Sequence, residues 1–355
     1  MGKATENLAR VTRIELDLGK NVFQVHGVGA QGEVVIARKL RRGTMLEFFG
    51  RLAPCVVAME ACGSAHHWGR QLVALGHEVK LIPPAHVKPY VRRNKTDAAD
   101  AAAICEAAMR PGQRFVALRS IDNQAAVMRH RVREQLVGQR TALLNALRGH
   151  LSEIGLVAAQ GAQHAYRLKR MLADGADENG EIVVPERVRV ALAPLTAQID
   201  ALDQAIAAID DKLIETVKAD EKARRLMTIP GAVIATAVVA TVGEAASFAS
   251  GREFAAFLGL APRQRSSGGK ERLGRITKMG DRYLRKLLVV GATTVLHHAI
   301  GHHDSLRRWA RQMLERKGGR AGFKLVAVAL ANKLARIVFA ILRSGEVYDD
   351  RPVVA

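Results

Sequence analysis

The sequence predicts a mixed α/β domain at the amino terminus followed by a mostly helical remainder. Apolar and polar residues alternate between positions 11 and 40, which is typical of strands, and the next apolar segments alternate between helical and strand patterns. After about residue 115 the strand pattern disappears and apolar residues recur at helical spacing. We therefore expect the sheet to lie before residue 115.

Three strands are expected to open this domain as an antiparallel unit. The first has Ile14, Leu16 and Leu18 on one side. A second follows at Val22–Val28 and a third at Glu33–Leu40, after a Gly-containing turn. A helix at 45–52, a strand at 55–60, a helix at 65–75 and a strand at 78–82 come next. Three strands followed by alternating helices and strands is the order of a ribonuclease-H-like domain.

The middle of the chain is expected to be a coiled-coil helical region. Residues 121–156 are predicted to form one long helix, and a polar loop is expected around 173–180. A heptad-like seam is formed by Leu192, Leu195, Ile199, Leu202, Ile206, Ile209 and Leu213. This seam fits either an intramolecular helical hairpin or a dimer interface.

A Pro-Gly turn between two helical segments marks the start of the last region. The turn at Pro230-Gly231 resembles a helix-hairpin-helix, which presents backbone N–H groups to a phosphate, although a plain helical turn fits the spacing equally. The expected organisation is a flexible terminus at 1–10, an α/β domain at 11–115, a coiled-coil region at 116–218 and a mostly helical carboxy-terminal domain at 219–355.

The charge of the chain indicates a polyanionic partner. Its 355 residues contain 54 Lys and Arg against 34 Asp and Glu, a formal charge of +20. Nucleic acid is favoured over an acidic membrane surface, because neutralised phosphates release counterions. Aromatic residues make up only 4%, which argues against base stacking as the main mode of binding.

Localisation in a reducing cytoplasm is expected from two further observations. Three cysteines form no ligand-like pairs, so neither a disulfide framework nor a zinc ribbon is indicated. The amino terminus has no apolar signal-peptide run, and the long uncharged stretch at 226–243 is interrupted by Pro230-Gly231, so no membrane association is predicted.

Four carboxylates are candidate metal ligands. Asp17 lies within an otherwise apolar strand and Glu60 ends another, while Asp97 and Asp100 share one face if their segment is helical. Taken singly, the first two fit solvated strand acids, and the last pair fits an N-cap with a second acid in the first turn. Together they match the oxygen ligands that two-metal phosphoryl transfer requires, with Mg²⁺ as the expected ion and Mn²⁺ as the alternative.

A serine in a basic, Gly-rich turn is the second candidate. Ser266-Ser267-Gly268-Gly269 lies at the start of a stretch, 263–286, with nine Lys and Arg against two acids. A serine there fits a nucleophile that attacks phosphorus, and composition alone also fits a phosphate-gripping loop. The residues expected to hold nucleic-acid phosphates are Arg263, Arg265, Lys270, Arg272, Arg275, Lys278 and Arg282.

These motifs together resemble one family. The segments IELDLGKNVF (14–23), MEACG (59–63), NKTDAADA (94–101), GLAPR (259–263) and SSGGK (266–270) are similar to DEDD-type insertion-sequence transposases, relatives of the Piv DNA invertases. The resemblance covers nearly the whole chain in the same order. One position departs from it, because the family usually has Gly where this chain has Glu15. That residue is either paired with a basic neighbour or adds a negative charge near the acids.

The resemblance implies a RuvC-like domain whose metal ligands are Asp17, Glu60, Asp97 and Asp100, and a second domain whose attacking serine is Ser267. It also implies a homo-oligomer, a dimer or tetramer, with composite sites, acting on double-stranded DNA under the guidance of a structured RNA from the element.

The function expected from these observations is a transposase that cuts and rejoins DNA by metal-assisted serine attack. Two alternatives stay open at the level of sequence. A RuvC-like junction nuclease would use water in place of Ser267. A nucleic-acid-binding homologue would keep the fold and lack activity because of Glu15.

Overall fold

The computed structural model describes residues 8–87, 89, 103–108, 110–177, 179–229, 234–242, 245–270, 272–298 and 304–350. The chain divides into two compact units, Met1–Asp122 and Asn123–Ala355. The expected class, an amino-terminal α/β sheet domain followed by a mostly helical remainder, is confirmed.

The first unit is built on a five-stranded sheet. Its strands are β1 (Arg13–Leu18), β2 (Val22–Val28), β3 (Val34–Arg41), β4 (Val56–Glu60) and β5 (Glu78–Ile82), in the order β3-β2-β1-β4-β5. The first three pair antiparallel, whereas β1 pairs parallel with β4 and β4 parallel with β5. The helices are α1 (Met45–Gly50), α2 (Ala65–Ala74) and the short α3 (Pro84–Val87), and residues 103–108 are also helical. In this order β1 is the central strand, with β2 on one side and β4 on the other.

The two faces of this sheet are covered by different segments. On one face, Leu16 and Met59 are buried in the larger core, which includes Trp68 of α2. On the other face, Ala58 and Ile82 pack with residues of α3 and of the helical segment at 103–108. Since side chains alternate along a strand, Glu60 shares this second face with Ala58.

The second unit begins with three helices. Its first elements are α4 (Ile121–Ser152), α5 (Ala162–Asp174) and α6 (Glu186–Ala219). Arg140 Nη1 donates to Asp203 Oδ1 at 2.8 Å, and Arg133 Nη2 donates to Asp210 Oδ2 at 2.9 Å, so α4 and α6 run antiparallel. Residues of the predicted seam, including Leu192 and Ile199, are buried in a core shared with α4 and α5. A dimer interface on this region stays a prediction.

The predicted helix at 121–156 is shorter than expected. It ends at Ser152, and Gly155 adopts a φ of 82° while the Leu156 N–H donates to the Leu151 carbonyl at 3.0 Å. This reverse turn satisfies a terminal carbonyl of the helix and redirects the chain toward α5.

The remaining elements form a separate core around one long helix. They are α7 (Glu221–Met227), α8 (Ala235–Val242), α9 (Gly251–Phe257), the strands β6 (Pro262–Gln264) and β7 (Leu273–Ile276), α10 (Arg282–His297), α11 (Ser305–Arg316) and α12 (Phe323–Ser344). The segment Gly319–Ser344 is long and apolar enough to span a membrane, with a mean hydropathy of 2.0. Leu330, Leu334 and Val338 of this segment are buried in the unit's own core. It therefore has the burial of a core helix and is weak evidence for a membrane span. The turn at Pro230-Gly231 lies outside the described residues.

Candidate active site

Asp17 and Glu60 lie side by side on the two central parallel strands. The parallel pairing of β1 with β4 ends with Leu16 opposite Met59. Asp17 and Glu60 are the residues that follow these two in their strands. Neighbouring strands are about 4.8 Å apart, which brings two residues 43 positions apart in sequence to one edge of the sheet. Both are half-buried. The strand pairing thus joins two of the four predicted ligands.

The pKa of the Cys62 thiol is affected by both carboxylates of this pair. Burial raises the pKa of its thiol, and the nearby charges of Glu60 and Asp17 raise it further. A single thiol senses both carboxylates only if both lie within Coulombic range of it. The edge of the sheet after β1 and β4 therefore concentrates negative charge.

Asp97 and Asp100 lie outside the described residues. The described chain resumes at residue 103, where the helical segment 103–108 packs through Ala103, Ile104 and Ala107 against Ala58 and Ile82. This is the sheet face that Glu60 shares. Among the residues that the structure describes, no group of three or more His, Cys, Asp or Glu side chains is arranged to hold a metal ion. The described part of the chain thus contributes two carboxylates of the predicted four.

Glu15, the departure from the family pattern, is completely buried and paired. Its side chain is 0% exposed, and Arg13 Nε donates to its Oε1 at 2.6 Å. Arg13 Nη2 also lies 3.5 Å from Cys105 Sγ. Burial, reinforced by the charge of Glu15, raises the pKa of Cys105 to about 11. Arg13 and Glu15 are two residues apart on one strand face, and their pairing with Cys105 connects β1 to the helical segment at 103–108.

The predicted serine lies at the tip of an exposed hairpin. The strands β6 and β7 pair antiparallel, and the Lys270 N–H donates to the Ser267 carbonyl at 3.1 Å across the turn. Gly268 and Gly269 have φ values of 57° and 75°. Two successive positive φ values are the requirement of a tight primed turn, which explains the Gly-Gly sequence. Ser267 is exposed at this turn.

The two serines of the turn differ in their hydrogen bonding. Ser266 Oγ accepts from Gln264 Nε2 at 2.9 Å and from the backbone N–H of Arg272 at 3.0 Å. Within the described ranges, no hydrogen-bond partner is found for the Ser267 hydroxyl. Ser266 therefore braces the hairpin, whereas no described residue of the hairpin orients the Ser267 hydroxyl by a hydrogen bond.

The base of this hairpin is held by close backbone contacts. Gly280 has a φ of 77°, and a Cβ atom there would lie 1.8 Å from the Phe257 carbonyl oxygen. Arg285 donates through Nη1 to the carbonyls of Leu258 and Met279, both at 2.9 Å. This arginine stabilises the polypeptide itself, a role that its place in the basic run did not reveal.

Seven other basic residues of the run are available to a partner. The seven predicted phosphate-binding residues are all exposed, namely Arg263, Arg265, Lys270, Arg272, Arg275, Lys278 and Arg282. One of them has a partial structural role, since Arg263 Nη2 donates to the Thr277 carbonyl at 3.3 Å. The hairpin is thus a protruding, cationic element with a serine at its tip.

Sequence reasoning left open a basic partner for Glu15 but named neither Arg13 nor Cys105. The sequence could have identified Arg13 as a partner, because residues two apart on a strand project from the same face. It could not have identified Cys105, since only the packing of the segment at 103–108 brings that residue to β1.

Comparisons with known proteins identify the family of the chain. Residues 14–156 match a DEDD transposase description of IS110 elements, and residues 223–308 match the description "Transposase IS116/IS110/IS902 family". The chain is 45% identical over 340 residues to a "Probable family 20 transposase" of Pseudomonas aeruginosa, covering 95% of this chain and 98% of that protein.

Two further relatives are named for insertion sequences. The transposase for IS1111A of Coxiella burnetii is 38% identical over 98% of this chain and 93% of its own length. The transposase for IS1328 of Yersinia enterocolitica is 38% identical over 96% of this chain and 99% of its own. These similarities, which cover nearly the whole of each chain, show that the protein belongs to the IS116/IS110/IS902 family of insertion-sequence transposases, enzymes that cleave and transfer DNA.

Proposed function

We propose that this transposase excises and inserts its element by attack of Ser267 on a DNA phosphodiester, assisted by a divalent metal ion at the carboxylates. The observation that carries the proposal is the placement of Asp17 beside Glu60 at one edge of the sheet. Two adjacent carboxylates supply hard oxygen donors, the kind that Mg²⁺ and Mn²⁺ prefer. We further propose that Asp97 and Asp100 complete the set.

The donor chemistry of the described residues fits such an ion. Asp17 and Glu60 are half-buried and close in register, so a cation would offset the mutual repulsion that their negative charges otherwise cause. When bound, the ion would stabilise the charge on the attacking and leaving oxygens. Glu15 is left out of this role in the proposal, because its carboxylate is fully buried and already balanced by the charge of Arg13.

Ser267 is favoured over Ser266 as the attacking group. A nucleophile must direct its oxygen to the substrate, and the Ser266 oxygen already accepts two hydrogen bonds within the hairpin. In the proposed step, a bond forms between Ser267 Oγ and phosphorus, and the bond from phosphorus to the leaving sugar oxygen breaks. The serine gives up its hydroxyl proton to a base, and the leaving oxygen acquires a proton. The energy of the phosphodiester is kept in the serine ester for rejoining.

The surrounding cations would bind the polyanionic substrates. The exposed residues of the hairpin carry positive charge close to Ser267, where they would neutralise DNA phosphates and the charge that develops during attack. A structured guide RNA and assembly as a dimer or tetramer are part of the same proposal. We also propose the domain limits 11–115, 116–218 and 219–355, and action at the bacterial nucleoid in the cytoplasm.

The test compares wild type with Ser267→Ala, Ser266→Ala and Asp17→Asn, each expressed beside the natural flanks of the element and supplied with Mg²⁺. An SDS-stable protein–DNA adduct is expected for wild type. It should be absent in Ser267→Ala and retained at a reduced level in Ser266→Ala, because the latter loses only a brace of the hairpin. Asp17→Asn should abolish the adduct while leaving DNA binding intact.

Other outcomes would contradict the mechanism. DNA cleavage without an adduct that survives Ser267→Ala would instead support a RuvC-like nuclease that uses water. An adduct that is lost in Ser266→Ala and kept in Ser267→Ala would exchange the roles of the two serines.

A further inference from the structure

A large groove lies beside the serine hairpin in the second unit. Its volume is about 1640 Å³. Its walls come from β7, from the start of α9, from α11 and from α12. Sites for small molecules are usually about 300 to 1,000 Å³, so this groove is large enough for a segment of a polymer.

Among the residues that the structure describes, every charged side chain that lines this groove is a cation. They are Arg252, Arg275, Lys278, Lys317, Lys333 and Arg336. In the part of the chain that the structure describes, none of these six forms an ion pair with a carboxylate, whereas Arg307 and Lys286 elsewhere in the unit do. Burial and the nearby Arg336 lower the pKa of Lys333 below its usual value. Positive charge is thus gathered here without a negative partner, which favours an anionic ligand.

Apolar side chains also line the groove. Leu273 and Leu325 line it and are 64% and 60% exposed. Trp309 lies among them, with Lys333 Nζ at 4.8 Å from its ring centroid. Exposed apolar surface of this kind is a usual mark of a binding site. A ligand that fits must therefore present both anionic groups and flat apolar surface.

An unpaired nucleic-acid strand has this chemistry. Its phosphates are anionic and its bases expose faces that stack on aromatic and apolar side chains, whereas a duplex hides those faces within its own stack. Leu273 and Arg275 of β7 belong to the same hairpin that presents Ser267. The strand that would lie nearest is the DNA strand that this serine attacks.

We propose that the groove binds an unpaired stretch of the cleaved DNA strand. This inference rests on the proposed function for its choice of DNA. The contacts would be phosphates on Lys333 and Arg336 and bases against Trp309 and Leu325.

The protein offers a direct probe, because it has only two tryptophans, Trp68 and Trp309. In full-length protein carrying Trp68→Phe and Ser267→Ala, all tryptophan fluorescence comes from the groove. The Ser267→Ala background removes the proposed covalent step, so failure of the serine mechanism cannot alter this measurement. The probes are a twelve-nucleotide oligo-dT, the ribo-oligonucleotide oligo-rU of equal length, and a blunt DNA duplex of equal length.

Oligo-dT is expected to change the Trp309 emission saturably, and the duplex is not. Lys333→Gln with Arg336→Gln should weaken oligo-dT binding about tenfold and reduce the salt dependence of log K by about 1.4, the value for two phosphate contacts on a single strand. The matched control is Arg316→Gln with Lys324→Gln, which removes the same charge from exposed positions outside the groove. It should change the affinity less than threefold.

Four results would overturn the proposal. They are an equal response to the duplex, an equal loss of affinity in the control pair, an rU affinity at least tenfold above that for dT, and a Trp309 signal that depends on protein concentration without any oligonucleotide. The third would assign the groove to RNA, and the fourth to a second copy of the chain.

Discussion

Replacing Arg13 by leucine should destabilise the first unit strongly, because it would leave Glu15 buried without its cation. The Glu15 side chain is 0% exposed and that of Arg13 is 23% exposed, with 2.6 Å between Nε and Oε1. Removing one partner of a buried ion pair costs about 3 to 5 kcal/mol. Glu15→Gln leaves Arg13 partly hydrated and keeps a neutral oxygen as its acceptor, so we expect a loss of about 1 to 2 kcal/mol.

The double variant Arg13→Leu with Glu15→Met separates charge from packing. Replacing a buried ion pair by apolar residues of similar volume is often neutral or stabilising, so we expect this variant within about 1 kcal/mol of wild type. Recovery of stability in the double variant would indicate a large energetic coupling between the two side chains. A large loss of stability in Arg13→Leu that the double variant reverses would identify the buried charge of Glu15 as the cause.

The assay is urea unfolding followed by Trp68 fluorescence in a Trp309→Phe background. Trp68 is buried in the core of the first unit, with its ring centroid 5.1 Å from that of Phe23. With a urea dependence of about 1.5 kcal/mol per M, a loss of 4 kcal/mol lowers the midpoint by about 2.7 M. If Arg13→Leu and Glu15→Gln lower the midpoint equally, or if the double variant is as unstable as Arg13→Leu, the inferred neutralisation of Glu15 by Arg13 is wrong.

Two further predictions concern the second unit. Burial lowers the pKa of His130 to about 4, below the value near 6.5 in an unfolded chain, so the stability that depends on its neutral ring is complete above about pH 6.5 and is lost as the pH falls toward 4. Between pH 7 and pH 5 the loss of unfolding free energy is about 2 kcal/mol. Urea unfolding at both pH values should show that His130→Asn removes this pH dependence. An unchanged pH dependence in the variant would refute the assignment to His130. Gly280→Ala should cost at least about 2 kcal/mol, because a positive φ is combined with a Cβ that would lie 1.8 Å from the Phe257 oxygen. Gly318→Ala has a similar φ of 79° and no neighbouring atom within 4 Å, so thermal unfolding should show a loss of only about 1 kcal/mol, and equal losses would contradict the contact.

Much of the first unit was predictable from local pattern. Alternation of period two locates the strand near Ile14, and a short apolar run locates the strand near Val57. An acid toward the end of each strand is visible without any structure. The Gly-Gly pair likewise predicts a turn after Ser267, since positive φ values at both positions are easiest for glycine. Such features depend on neighbours in sequence, which is why sequence reveals them.

Other features depend on residues that are distant in sequence and required the fold. Only the parallel pairing of β1 with β4 brings Asp17 beside Glu60, because strand period says nothing about which strands become neighbours. Periodicity could not show that the Ser266 hydroxyl is engaged by Arg272, since that contact depends on the register of β6 with β7. The groove also combines β7 with two helices more than 30 residues later in the chain. The sequence by itself determined the family, the strand pattern, the candidate acids and the candidate serine, because these features depend on local patterns of residues. The tertiary structure decided which of these residues lie next to each other, because contacts between distant segments form only when packing brings their elements together.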